Sequence, residues 1–275
     1  MLKKIYFTFY FLLTAFLVNS QVVINEYSAS NFDSHLDNYG EYEDWVELYN
    51  TTNSDIDLNG WSLTDKPSNL SKWSFPGSFI VSANSVAIVY CSGLNELVGG
   101  VAHTNFKITQ TKAGEVFVLS DASGNIVDSA RAVPAQKSHS RGRDVNGGTT
   151  WSVFTTATPN TNNSGAMLEY APLPIFSQSS GYYSAPFDLT LSCADPNALL
   201  YYTTDGSRPD NSSNLYTGPF NISSTSVVKA VAYSTNSLVP PSFIDYHTFF
   251  INDTHTVPIL SVSGDSVAVL IEDGL

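Results

Sequence analysis

Apolar side chains recur at every second position in short runs along most of this chain, the spacing of strands that bury one face of a sheet. In Asp44-Trp45-Val46-Glu47-Leu48-Tyr49-Asn50, Val46 and Leu48 share one face while Trp45, Glu47 and Tyr49 take the other, so both faces are expected to meet protein. Ile56 and Leu58 then lead into Asn59-Gly60, and Trp61 and Leu63 lead out. Asn-Gly supplies two consecutive positive φ values, so a two-residue type I′ hairpin is predicted there. Further strands are predicted at 22–27, 72–75, 79–81, 86–90, 105–108, 116–119, 126–128 and 151–154, with a polar, acidic loop over 31–43. Turn residues separate these runs at the spacing a β-sandwich needs, and no amphipathic helix longer than a couple of turns follows the first twenty residues.

The cleanest alternation comes later: Phe187, Leu189, Leu191 and Cys193 point one way, Asp188, Thr190 and Ser192 the other. Runs at 200–204, 227–233 and 247–251 complete a second, smaller sandwich, with Asp205-Gly206 as another hairpin signal. Between the two groups, Thr158-Pro159-Asn160-Thr161-Asn162-Asn163-Ser164-Gly165 reads as a polar linker, and Pro172 and Pro174 open something new. At the start, Lys3 and Lys4 precede an apolar run from Ile5 to Val18, and Val18-Asn19-Ser20 offers a cleavage site. The expected organisation is a signal peptide over 1–20, sandwiches over 21–165 and 166–251, and a linker with the start of a truncated third domain over 252–275. The leader is too short and interrupted for a confident membrane span, no other run approaches spanning length, and no Cys follows it to carry a lipid.

Composition sharpens this picture. A hydrophobic share of 43% is enough for real cores, while charged residues at 13% leave the solvent faces to Ser, Thr and Asn. The formal charge of −13 lacks the basic surplus that a nucleic-acid surface needs, so nucleic-acid binding is not expected. Only Cys91 and Cys193 are present, in separate strand-like segments, and two buried thiols are expected in preference to a Cys91–Cys193 bond. Six Asn residues (Asn50, Asn69, Asn162, Asn211, Asn221 and Asn252) begin N-x-[ST] sequons, which matter only where exported Asn is glycosylated.

Few residues offer chemistry. Asp33, Asp37, Glu41, Glu43 and Asp44 crowd one loop, but Gly40 does not sit where a calcium loop needs its glycine, so a solvated acidic loop is expected over a Ca²⁺ site. Gly264-Asp265-Ser266-Val267 echoes a hydrolase nucleophile block, yet no His follows Ser266 to take its proton, and a turn is the expectation. His35, His103, His139, His247 and His255 show no metal-ligand spacing, and no phosphate-cradling loop is present. Tyr182, Tyr183, Tyr201 and Tyr202 suit either a sugar-stacking platform or the core, and alternation places at least one of each pair inside. No catalytic, cofactor-binding or metal-ligating residue and no cofactor is assigned.

The motifs also carry resemblances. Ile24-Asn25-Glu26, Asp44 to Asn50 as above, Leu58-Asn59-Gly60-Trp61-Ser62-Leu63, Ser140-Arg141-Gly142-Arg143-Asp144, Trp151 and Thr158-Pro159 with Asn163 resemble the lamin-tail domain of exported bacterial proteins, over roughly residues 22–165. That resemblance implies an immunoglobulin-like sandwich used for docking, with no catalytic residues. Pro174-Ile175-Phe176-Ser177, the run from Tyr201 to Pro209, Leu215 to Pro219 and Lys229 to Tyr233 resemble the chitobiase/β-hexosaminidase C-terminal-like domain. The implied fold is all-β, an immunoglobulin-like β-sandwich followed by a smaller fibronectin-III-like β-sandwich. The pair, followed by the run from His255 to Val262, is similar to the front half of secreted CotH-type kinase proteins.

Two further groups take their meaning from this likeness. Glu26 and Glu47, on two strands placed to be neighbours, invite a glycosidase acid/base reading, but such a pair must flank a sugar-sized cleft that nothing in the sequence shows, and the likeness implies that both are structural. Arg131, Lys137, Arg141 and Arg143 form a basic segment suited to an acidic glycan, but Arg141 falls where the lamin-tail pattern expects it and is read as structural. The expectation is a secreted, non-catalytic accessory, adhesion or spacer protein of the cell surface, the N-terminal part of a larger protein. Its expected partners are a surface polysaccharide or another surface protein. The alternatives are the accessory part of a CotH-type kinase whose catalytic domain lies beyond residue 275, or a carbohydrate-binding module.

Overall fold

The computed structural model describes residues 20–109 and 115–253. The expected leader apart from Ser20, the Ser266 block and the run from His255 onward therefore lie outside the described residues, as does all but the first two positions of the expected 252–275 segment. Among the described residues every regular element is a strand, and no helix is long and apolar enough to cross a membrane.

The first group of strands runs β1 (Val22–Ser28), β2 (Trp45–Asn50), β3 (Ile56–Asp57), β4 (Ser62–Thr64), β5 (Trp73–Ser74), β6 (Ile80–Val81) and β7 (Val86–Tyr90). It continues with β8 (Glu96–Val98), β9 (Val101–His103), β10 (Val116–Ser120), β11 (Ile126–Arg131), β12 (Ser140–Arg143) and β13 (Trp151–Phe154). A seven-stranded sheet, β13-β12-β1-β2-β7-β9-β8, faces a four-stranded one, β11-β10-β4-β5. Val22, Ile24, Tyr27, Val46, Leu48 and Val89 of the larger sheet bury against Leu63, Trp73, Phe117 and Leu119 of the smaller. Each such side chain, fully buried, contributes about 1.5–3 kcal/mol, so this layer sets the orientation of every strand crossing it. All seven residues of β1 are buried, which shows that its far face is covered as well.

Three local readings change. Asn59-Gly60 does form a turn, closed by the Trp61 N–H donating to the Leu58 carbonyl at 2.9 Å. However, Gly60 (φ +76°) is left-handed and Asn59 is not, the type II pattern. Such turns splay their flanking strands, and β3 pairs with β6 while β4 pairs with β10 and β5. Residues 105–108 are not a strand: the Thr104 hydroxyl donates to the Phe106 carbonyl at 2.6 Å and competes with a ladder. Phe106 and Ile108 are nevertheless buried in the core. Asp205-Gly206 does not close a two-residue hairpin, because Asp205 Oδ1 captures the Ser207 N–H at 3.0 Å and Pro209 then has no N–H to give a ladder.

The second group comprises β14 (Ile175–Phe176), β15 (Gly181–Tyr183), β16 (Phe187–Leu189), β17 (Leu191–Ser192), β18 (Leu199–Thr203), β19 (Asn214–Leu215), β20 (Phe220–Ile222), β21 (Ser226–Tyr233) and β22 (Asp245–Ile251). Its five-stranded sheet, β15-β22-β21-β18-β19, packs over two short pairs, β14-β17 and β16-β20. Leu189 and Leu191 point into the core while Asp188, Thr190 and Ser192 are exposed, as the alternation requires.

The groups share no sheet, but side chains and backbone knit them together. Met167 exchanges hydrogen bonds with Val153 (2.8 and 3.2 Å), and the Leu168 and Ala171 N–H groups donate to Leu238 and Pro240. Around this seam Gln136 Nε2 donates to the Pro241 carbonyl at 2.8 Å, and Tyr170 meets Phe243 edge-on at 4.9 Å.

Candidate functional site

A buried polar cluster lies on the covered face of β1 and β2. A register shift between Ile24 and Glu26 allows Asn25 and Glu26, adjacent in sequence, to reach the same outer cluster. Asn25 Nδ2 donates to Glu47 Oε1 (3.1 Å) and Asn163 Oδ1 (3.0 Å). Thr158 donates twice to Glu26, from its N–H (3.0 Å) and its hydroxyl (2.6 Å), and the Ser140 hydroxyl donates to the same carboxylate. The Asn160 N–H donates to Glu47 Oε2 at 2.8 Å, and Asn163 Nδ2 to the Arg143 carbonyl at 2.6 Å. The stretch read as a polar linker is thus a strap, residues 158–163, tied onto the sheet by two carboxylates. Just before it, Ala157 packs on a small cluster of Trp45, Ile88 and Tyr90.

Burial raises both acids. It pushes Glu47 up to about 8, with the Asn25 hydrogen bond opposing and Glu26 adding. Glu26 is raised too, against donation from Ser140 and Thr158. Both side chains are wholly inaccessible, with every carboxylate oxygen accepting a hydrogen bond, so neither can meet a sugar or water. A raised carboxyl here reports a lid, not a poised acid.

The other candidates disperse. Arg141 makes a two-pronged bond to Glu169 (2.8 and 2.8 Å), donates to the Pro134 carbonyl and lies over the Tyr170 ring, which makes it part of the seam. Arg143 donates to the Ile24 carbonyl (2.8 Å) and Asp128 (2.8 Å) and covers Trp151. Lys137 pairs with Asp33 at 3.2 Å on the surface, and Arg131 contributes its carbonyl to the Tyr27 hydroxyl, so the four do not make one basic patch. Tyr183 and Tyr202 turn inward onto Phe187 and Phe220, leaving Tyr182, stacked on Phe250 at 4.7 Å, and Tyr201, edge-on to Tyr233, on the opposite face of the sheet. Cys91 is buried and its thiol raised well above the ordinary range by burial; Cys193 is only half-buried, contrary to expectation, and both are free. Asn50 is excluded as a glycan acceptor: it is fully buried, with its amide donating to the Ser54 and Val81 carbonyls.

In the acidic loop the carboxylates are not simply solvated. Asp37 is buried and accepts the Tyr39 and Glu41 N–H groups (2.8 and 2.9 Å), and Asp44 Oδ1 accepts the Asn31 N–H (3.1 Å). Among the described residues no group of three or more His, Cys, Asp or Glu is placed to hold a metal ion. Asn25, Ser140, Thr158 and Asn160 went unassigned in the sequence as contacts of the two acids. Their one signal was an Asn- and Thr-rich run in a chain that also buries two Glu in strands.

With this geometry in hand, comparison with known families gives two matches. The Lamin Tail Domain model matches residues 18–133, and the Chitobiase/beta-hexosaminidase C-terminal domain model matches residues 178–239. The chain is therefore a tandem of two all-β modules, the first similar to lamin tail domains and the second to chitobiase/hexosaminidase C-terminal domains. The first match ends before β12, which pairs onto β1, and β13, which pairs onto β12, in the same sheet. Neither match extends to a CotH-type kinase domain. No curated protein matches the chain.

Proposed function

We propose that this chain is a non-catalytic accessory or adhesion module, exported and held at the cell surface as the N-terminal part of a larger protein. The observation that carries this reading is the fate of its two strongest catalytic candidates: Glu26 and Glu47 are sealed under the strap and spent on backbone and side-chain donors. Export is supported by the leader-like first twenty residues. The seam through Arg141, Glu169 and Tyr170 suits a spacer, since it couples two rigid bodies without a loose linker. The test is to assay purified protein lacking its leader against phosphate donors, esters and glycosides, and to fractionate cells bearing a tagged copy. No turnover and recovery with the cell envelope are expected; turnover abolished by Glu47→Gln would end the proposal.

A second reading, carbohydrate recognition, draws on the outward pairs Tyr182–Phe250 and Tyr201–Tyr233, because pyranose rings pack on aromatic faces. On a glycan array, a hit weakened about tenfold by Tyr182→Ala would support it. Silence across chitin and acidic glycans would count against it.

A further inference from the structure

The loop between β1 and β2 is held from within: Asn31, buried, donates to the His35 and Glu43 carbonyls (2.6 and 2.8 Å) and accepts the Ser34 and His35 N–H groups. Beneath it the Tyr90 hydroxyl contacts His35 Nε2 (3.0 Å) and donates to the Leu36 carbonyl (3.1 Å), with the Tyr90 ring stacked on both His35 and His103. Asn38 Oδ1 lies 2.7 Å from His103 Nε2. Four large apolar or aromatic side chains nevertheless reach solvent from it, Phe32 (56% exposed), Leu36 (45%), Tyr39 (52%) and Tyr42 (46%), beside the exposed Asp33, Ser34, Asn38 and Glu41. A loop this firmly held loses little entropy on binding, and exposed aromatic anchors are what protein interfaces are built on.

Phe32 and Tyr42 help to wall a cleft of about 300 Å³ whose remaining lining includes Glu43, Asp44, Lys107 and Ile108. Lys107 pairs with Glu43 at 3.1 Å. Asp44 has one oxygen engaged by the Asn31 N–H, while its Oδ2 makes no hydrogen bond among the described residues. The loop carries Asp33, Asp37, Glu41, Glu43 and Asp44 against Lys107 and Lys137, in a chain of formal charge −13. An anion would be repelled here. A neutral donor could bond Asp44 Oδ2 but would bring no charge to it or to the aromatic faces. A cation gains a carboxylate and aromatic faces together; Lys137 Nζ, paired with Asp33, already lies 5.8 Å from the Phe32 centroid.

We infer that the Phe32–Tyr42 cleft receives the cationic side chain, Arg or Lys, of a partner protein that docks on the exposed rings of this loop. The site is separate from the strap and does not depend on the accessory reading.

The test is an NMR titration of the ¹⁵N-labelled chain with three acetylated, amidated tripeptides, Gly-Arg-Gly, Gly-Lys-Gly and Gly-citrulline-Gly. The Arg or the Lys peptide is expected to shift the amides of Phe32, Tyr42, Asp44 and Lys107, with the citrulline peptide binding about tenfold more weakly. Asp44→Asn, which keeps an acceptor for the Asn31 N–H, should weaken the cationic peptide by a similar factor. Tyr42→Ala changes an exposed ring and should weaken binding while leaving the rest of the spectrum in place, which separates loss of the site from loss of the fold. Equal binding of citrulline, shifts confined to other surfaces, or no shifts with either cation would overturn the inference.

Discussion

A β-carbon at residue 142 would lie 3.0 Å from Asn163 Nδ2, 3.0 Å from Glu26 Cγ and 3.1 Å from Phe154 Cε2. Close approach, not φ, favours glycine there, and the added carbon would push at once on the strap, the acid and the core by a few tenths of an ångström. Gly142→Ala is expected to destabilise the protein by about 1–3 kcal/mol, read as a lower denaturation midpoint at unchanged slope. Glu47 sets a pH dependence. Its folded pKa of about 8 lies above the ordinary 4.5, so the folded state holds a proton that the unfolded state has released. Stability contributed by this group is complete below about pH 4.5 and lost as pH rises towards 8, and Glu26 acts in the same direction. Urea titrations across that window should show stability falling with pH, and Glu47→Gln should flatten the fall. An undiminished slope in the variant would assign the effect elsewhere. That both acids are structural was legible from their place in strands with no cleft signal. Which groups satisfy them was not, because Asn160 reaches Glu47 across 113 residues and no local pattern encodes that pairing.

At the level of elements, β16 and β17 followed from period-two alternation, with Leu189 and Leu191 buried and Asp188 and Ser192 exposed, whereas β7 and β10 were legible as short continuous apolar runs. Periodicity carries no signal where side chains are spent on specific bonds. The strand β12, Ser-Arg-Gly-Arg, has no apolar residue, yet is fully buried because its arginines are neutralised by Glu169, Asp128 and carbonyls. Asn59-Gly60 was correctly a turn but of the wrong hand, since nothing local to the dipeptide says that β3 and β4 join different sheets. The strap misled for a related reason: Asn, Thr and Pro mark loops, and a loop that caps a sheet has the composition of a free linker. Thr158→Val keeps the shape and removes the hydroxyl bonded to Glu26. It is expected to cost about 1–3 kcal/mol, measured by chemical denaturation. A cost near zero would mean that the backbone N–H of Thr158 alone holds the strap.

For the whole molecule, the two-sandwich plan and their order were readable from the sequence, whereas the seam was not, because Glu169 and Tyr170 gain meaning only through Arg141 and Phe243. If the seam couples the units, they unfold together; Tyr170→Ala, which removes the ring shared by His139, Arg141 and Phe243, should split the calorimetric transition into two. A single unchanged peak would mean that backbone contacts suffice. The strap has one more consequence, which concerns the birth of the chain. A ribosome releases Glu47 long before Asn160, and 113 residues take roughly ten seconds to make. Until then the nascent sandwich has no lid, and Trp45 and its acidic neighbours stand open to any chaperone or errant strand nearby. A chain cut at residue 133, where the family match stops, would stay in that unfinished condition permanently.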